Sequence, residues 1–426
     1  MNQAELLQGF LSLATVLLAA QLGGWVFRRL GQPSVVGEIT GGIFLGPSVL
    51  GFFAPEVMEL LIPASSRPVL TMAAQLGVLL YMFFIGIEFD LSSFRKRSRA
   101  TLTIAGASLA LPFLMGLALG YPLYESLAGA GAPFSAFLLF FGVAMTVTAF
   151  PVMARILMER GEFHSKIGAL ALSCAALKDL TAWCLLALVT GVVHAKASGP
   201  LFTWLFSAAY LLVMLLALRP WMELWLGKRE NRIEKSLGKG GYALLLGGLV
   251  LSATATELIG IHAIFGAFLF GAIVPHVNRI DSPLFSKLEA FARIFLLPAF
   301  FAVTGMRTQI WLVDSARDLW IAGMILFVAI SGKFLGGGLA ARFTGHSWKE
   351  SATLGVLLNT RGLVELIVLN VGLDLALISP KLFSILVFMA LFTTYMTGPL
   401  LNLVWKRRET SLTTSIEHPT SAPAGS

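Results

Sequence analysis

The chain has 426 residues, of which 57% are hydrophobic and only 13% charged, and its formal net charge is +8. The charges cluster in short breaks between apolar runs, which excludes a pair of soluble domains and describes an all-α, polytopic membrane protein. The basic excess lies mostly on one set of connections, so it acts as a topology signal and leaves no place for nucleic-acid binding.

In chain order the apolar runs predict about thirteen transmembrane helices, near 6–27, 34–53, 69–89, 101–121, 133–154, 167–193 and 201–218, then 241–258, 261–275, 291–305, 319–341, 351–372 and 382–405. The first run follows Met1-Asn2-Gln3-Ala4-Glu5, which has no basic n-region, and reads as a retained span rather than a cleaved signal peptide. With the N-terminus outside, 23 of the 31 lysines and arginines fall on inner connections and five on outer ones. The remaining three, Lys178, Lys333 and Arg361, fall within spans. This asymmetry predicts an outer N-terminus and a cytoplasmic C-terminus.

The fifth span reads Val143-Ala144-Met145-Thr146-Val147-Thr148-Ala149-Phe150-Pro151-Val152. Pro151 has no N–H for the carbonyl of Val147. That carbonyl and the hydroxyls of Thr146 and Thr148 then supply oxygens near mid-membrane, as in broken helices that line a site. The alternative is an ordinary proline kink whose threonines bond their own backbone.

In the sixth span Lys178 lies twelve residues from Lys166 and sixteen from His194, roughly 18 Å and 24 Å at helical rise. Lys178 and Asp179 are therefore near the midplane of the bilayer, where ionisable residues mark ion or proton pathways. Cys174 and Cys184, ten residues apart on this span, are too far apart to bridge. No His or Cys spacing suggests a metal other than a transported cation, and no motif suggests a cofactor or an enzyme.

Lys333 and Arg361 lie at similar depths in later spans, so the three cations and Asp179 predict one polar centre. The twelfth span contains Asn359-Thr360-Arg361-Gly362 between apolar stretches, with Glu365 one turn beyond Arg361 at the spacing of a neutralising pair. That pair reads as structural charge balance or as a gating element. Two interrupted spans at matching positions predict inverted repeats of six spans, 1–195 and 239–405. A linking span and cytoplasmic loop occupy 196–238, and residues 406–426 form a short disordered tail. Glu38 is placed to pair with Arg28 or Arg29, Glu88 and Asp90 with the basic cluster from Arg95 to Arg99. Glu257 and His262 flank a short outer turn.

Taken together, several segments resemble the monovalent cation–proton antiporters, in particular the bacterial branch of sodium/proton and potassium/proton exchangers. They are Gly31-Gln32-Pro33 with Gly37-Glu38, Leu45-Gly46-Pro47-Ser48, Thr148-Ala149-Phe150-Pro151-Val152 and Lys178-Asp179-Leu180-Thr181-Ala182-Trp183. His262-Ala263-Ile264-Phe265-Gly266-Ala267-Phe268, Gly332-Lys333-Phe334-Leu335-Gly336 and Asn359-Thr360-Arg361-Gly362-Leu363-Val364-Glu365-Leu366 complete the set.

The resemblance implies a homodimer in the bacterial inner membrane, each subunit with a dimerisation domain and a mobile six-helix core. Two broken helices would cross beside an ion-binding aspartate, matched by Asp179, with Lys333 matching an electropositive core lysine. Lys178 departs from the Asp, Asn or Gln usual before that aspartate, which leaves the ion and the stoichiometry open.

The expected activity is exchange of Na⁺ or K⁺ for H⁺ at Asp179. Lys178 is a candidate proton carrier, Thr146, Val147 and Thr148 are candidate ligands, and Lys333, Arg361, Glu365, Asn359 and Thr360 supply charge balance around breaks at Pro151 and Gly362. The alternatives are proton-coupled transport of a small organic solute, and a non-transporting sensor or partner subunit whose site Lys178 locks.

Overall fold

A computed structural model describes residues 3–88, 99–163, 165–198, 200–227, 239–275 and 283–405. The basic cluster at 95–98 with Asp90, the loop at 228–238 and the tail at 406–426 lie outside the described residues, as does the side chain of Glu88.

The helices follow the apolar runs: α1 (Gln3–Arg29), α2 (Ser34–Leu45), α3 (Arg67–Glu88), α4 (Arg99–Leu127), α5 (Phe134–Thr146), α6 (Phe150–Glu159) and α7 (Lys166–Ser198). After them come α8 (residues 200–227), α9 (Lys239–Ile259), α10 (Ala263–Ile273), α11 (residues 283–307), α12 (Ala316–Phe343), α13 (Trp348–Leu358), α14 (Leu363–Asp374) and α15 (Pro380–Val404). Among the described residues, ten helices are long and apolar enough to cross a membrane, and the bent pair α13–α14 makes an eleventh. The expected spans at 133–154 and 261–275 yield shorter apolar helices, α5 and α10.

Large apolar side chains such as Leu18, Leu251, Trp320 and Phe327 face outward, while Lys178, Lys333, Arg361 and Glu365 are buried. That inversion of the soluble pattern is what a hydrocarbon solvent demands.

Two helix groups pack side by side. In one, the scaffold, α1, α2, α3 and α9–α11 lie together. Glycine lets their backbones touch: a Cβ on Gly42 of α2 would stand 2.6 Å from Ala302 Cα of α11, and Gly23 of α1 meets Gly37 of α2 in the same way. Close backbone packing of this kind holds helices together where lipid offers no hydrophobic drive.

In the other group, the core, α4–α7 pack with α12–α15. Its connections begin with side-chain caps: Ser315 for α12, Ser379 for α15, and a reciprocal Ser347–Glu350 capping box for α13.

The groups meet at two ends. At one, Arg307 of α11 pairs with Asp374 of α14 at 2.7 Å and Asn370 at 3.0 Å, on the rim of a cavity of about 430 Å³ that Glu257 and His262 also line. Glu257 there accepts from the backbone of Ala263 at 2.7 Å, which fixes the α9–α10 turn. At the other end, a cavity of about 360 Å³ opens between Gly31-Gln32-Pro33 and the ends of α6 and α15, beside Arg160 and Asn402.

Candidate functional site

The core helices are broken at two places, Val147–Ala149 between α5 and α6, and Asn359–Gly362 between α13 and α14. The breaks lie against each other. The backbone N–H of Ala149 donates to Thr360 O at 3.0 Å, and Thr148 Oγ1 donates to Leu358 O at 3.0 Å. Gly362 permits this approach, because a Cβ there would stand 2.7 Å from Val152 Cγ2, well inside contact distance.

A broken helix exposes carbonyls at one half-end and N–H groups at the other. Lys333 and Arg361 satisfy the carbonyls ending α5. Lys333 Nζ donates to Val147 O and, at 3.3 Å, to Thr148 Oγ1. Arg361 donates to Ala144 O at 2.9 Å and Met145 O at 3.0 Å, and its remaining charge is balanced by the Glu365 carboxylate one turn along α14. Both cations thus sit at the negative end of the α5 dipole. Arg361 O is in turn held by Thr394 Oγ1 of α15 at 2.7 Å.

The opposite polarity faces Asp179. Helix α6 starts at Phe150, and the Phe150 backbone N–H is directed at the Asp179 carboxylate, where a helix N-terminus favours negative charge. Asp179 Oδ1 is buried and has no hydrogen-bond partner. Neighbouring Lys178 is 1% exposed, its Nζ likewise lacks a partner, and it makes no ion pair with Asp179. It lies within electrostatic reach of Arg361, of Cys174, one turn back on its own helix, and of Asp179 itself. The centre therefore holds three cations and two carboxylates, with one oxygen of each carboxylate, Asp179 Oδ1 and Glu365 Oε2, buried without a hydrogen-bond partner.

Several sequence expectations shift in detail. Lys333 engages Val147 and Thr148 by hydrogen bonds and lies within electrostatic reach of Asp179. Thr146 Oγ1 donates to Val143 O at 2.7 Å, within its own helix. Pro151 occupies the first turn of α6, where its missing N–H is harmless, so the break precedes it. Thr360 Oγ1 bonds Leu357 O at 2.5 Å, while Asn359 Oδ1 is buried without a partner.

Sequence reasoning missed the Phe150 N–H, the Ala144 and Met145 carbonyls and Thr394. Of these, only Thr394, a hydroxyl in an apolar span, left a signal. Among the described residues no group of three or more His, Cys, Asp or Glu could hold a metal ion.

The sodium/hydrogen exchanger transmembrane family matches residues 16–407. The chain is 37% identical over 402 residues to the Na⁺/H⁺ antiporter NhaS4 of Synechocystis, covering 94% of this chain and 98% of that protein. It is 37% identical over 404 residues to cation/H⁺ antiporter 20 of Arabidopsis thaliana, with 92% of this chain covered and 48% of the plant protein. The K⁺/H⁺ antiporter 1 of Saccharomyces cerevisiae is 34% identical over 398 residues, covering 92% of this chain and 45% of that protein. The chain thus spans about half the length of the plant and yeast relatives. The solved structure of the sodium proton antiporter MjNhaP1 from Methanocaldococcus jannaschii at pH 8 superposes with a TM-score of 0.66 at 15% identity, over 95% of this chain and 99% of that one, a likeness of fold.

Proposed function

Because the chain belongs to the sodium/hydrogen exchanger family, we propose that it is a secondary antiporter that exchanges Na⁺ or K⁺ for protons at Asp179. One observation supports this reading above the others: a carboxylate with a buried, unengaged Oδ1 stands beside the two broken helices, with a helix N-terminus directed at it. Such a group holds either a proton or a desolvated monovalent cation, and mutual exclusion makes exchange obligatory. Hard cations require oxygen ligands, which the carboxylate provides.

The two helix groups supply the moving parts. The core bears the site and moves against the scaffold, exposing Asp179 alternately toward the Arg307 end and the Arg160 end. On the basic-residue asymmetry the Arg307 end faces outward and the Arg160 end the cytoplasm, in the inner membrane of a bacterium, with the C-terminus inside. The scaffold forms a homodimer interface, and the six spans on either side of α8 form inverted repeats, thirteen spans in all. Lys178, with no ion pair to Asp179, speaks against a locked site and fits a proton carrier beside the cation site.

The test is proton flux in proteoliposomes against a panel of monovalent cations. Wild-type protein is expected to give Na⁺- or K⁺-dependent flux, and Asp179→Asn to insert normally but lose it. Wild-type flux in that variant overturns the reading.

A further inference from the structure

Helix α11 of the scaffold and α14 of the core are joined by side chains at the Arg307 end. Arg307 Nη1 donates to Asp374 Oδ1 at 2.7 Å and to Asn370 Oδ1 at 3.0 Å. The Asn370 amide is engaged at both ends, because its Nδ2 donates to Thr304 Oγ1 of α11 at 2.9 Å. Thr304 and Arg307 stand three residues apart, Asn370 and Asp374 four, so each pair shares one helix face. The backbone of α11 packs closely on α1, α2 and α3 but only sparsely on α14. Three bonds between side chains thus carry this joint, and they can part without dismantling either helix group.

The strength of the joint suits a contact that is made and broken repeatedly. The side chains of Arg307 and Asp374 are 29% and 40% exposed, and an ion pair so open to water contributes little. Asn370 and Thr304 are buried, which would make their separation costly if nothing replaced the lost bond. Asn370 also lines the cavity of about 430 Å³, however, so water can take up its amide as the helices part. Thr304 Oγ1 keeps its bond to Phe300 O, within α11.

We propose that Arg307, Asp374, Asn370 and Thr304 form a latch that holds the core to the scaffold in the present conformation. The latch must open each time the core moves to expose Asp179 toward the Arg307 end. None of its bonds involves Asp179 or the two helix breaks, so it acts on the balance between conformations and leaves the ion's own ligands alone. Weakening it enlarges the fraction of molecules open at the Arg307 end. Apparent cation affinity at a face rises with the fraction open there, so the two faces should respond differently.

The inference rests on the antiporter reading, and the experiment keeps the two apart. Cation-dependent proton flux is measured in vesicles of both orientations for wild type, Asp374→Asn, Arg307→Gln and Asp179→Asn. Both latch variants are expected to lower the cation KM at the Arg307 face about threefold and to leave it unchanged or raised at the Arg160 face. In a background with Cys174 and Cys184 replaced, Arg307→Cys with Asp374→Cys is then bridged by a short, reducible bis-thiol reagent. Bridging should stop flux and reduction should restore it, while either cysteine alone keeps its flux under the same treatment. An unchanged KM at the Arg307 face, an equal change at both faces, flux that persists across the bridge, or a bridge that does not form overturns the latch. Flux retained in Asp179→Asn defeats the underlying reading instead, whatever the latch variants do.

Discussion

Lys333 gives its ammonium to the carbonyl of Val147, at the break that follows α5. The lysine is thus a brace for the end of α5 before it is a counter-ion for Asp179. Lys333→Met leaves a buried carbonyl without its donor, at a cost of about 1–3 kcal/mol. The purified variant should melt several degrees below wild type, and an unchanged midpoint would contradict the bracing role.

Arg361 and Glu365 are both fully buried. Removing one partner of such a pair is expensive, about 3–5 kcal/mol, because the other charge remains uncompensated. Glu365→Ala should therefore destabilise more than Lys333→Met does. Arg361→Met with Glu365→Leu should recover only part of the loss, since Ala144 and Met145 then lack their donor. Full recovery in denaturation measurements would show that the carbonyl contacts contribute nothing.

The unpartnered ammonium of Lys178 leads to a kinetic prediction. Lys178→Gln should shift the pH profile of exchange or change the number of charges moved per cycle, with cation selectivity still set at Asp179. Flux assays under imposed voltage and varied pH check this, and an identical response in the variant would remove Lys178 from the proton route.

Orientation follows from the basic residues. In a background with Cys174 and Cys184 replaced, single cysteines near the N-terminus should react with an impermeant reagent from outside. Cysteines near Arg97 and Arg232 should react only from the cytoplasm. Two sites labelled from the wrong face would invert the assignment.

Much of this was legible in the residues. Hydropathy located the helices, and the interruption Asn359-Thr360-Arg361-Gly362 located the second break within its span. Pro151 drew attention to the right segment for an indirect reason, because it opens α6 instead of ending α5. Pro112 and Pro122 lie inside α4 without dividing it, so a proline alone does not specify a break.

Depth brought Lys178, Lys333 and Arg361 to one level, but the sequence could not assign their partners. Those partners are backbone carbonyls, which every residue possesses, and only the tertiary arrangement selects Ala144, Met145 and Val147 among them. The Phe150 N–H escaped notice for the same reason.

The two breaks that bond each other, Ala149 to Thr360 and Thr148 to Leu358, are separated by more than two hundred positions of chain. During synthesis the site therefore cannot exist until the last helices have left the ribosome. Each charged segment must tolerate the bilayer in the interim, and most arrive with company: Lys178 beside Asp179, Arg361 one turn from Glu365. Lys333 brings no carboxylate in its own half of α12, yet its acceptor, Val147, has been emitted well before it. The order of the genetic message thus matches the order in which a lone ammonium needs its anchor, and biogenesis of this membrane protein can proceed without a naked charge waiting in lipid.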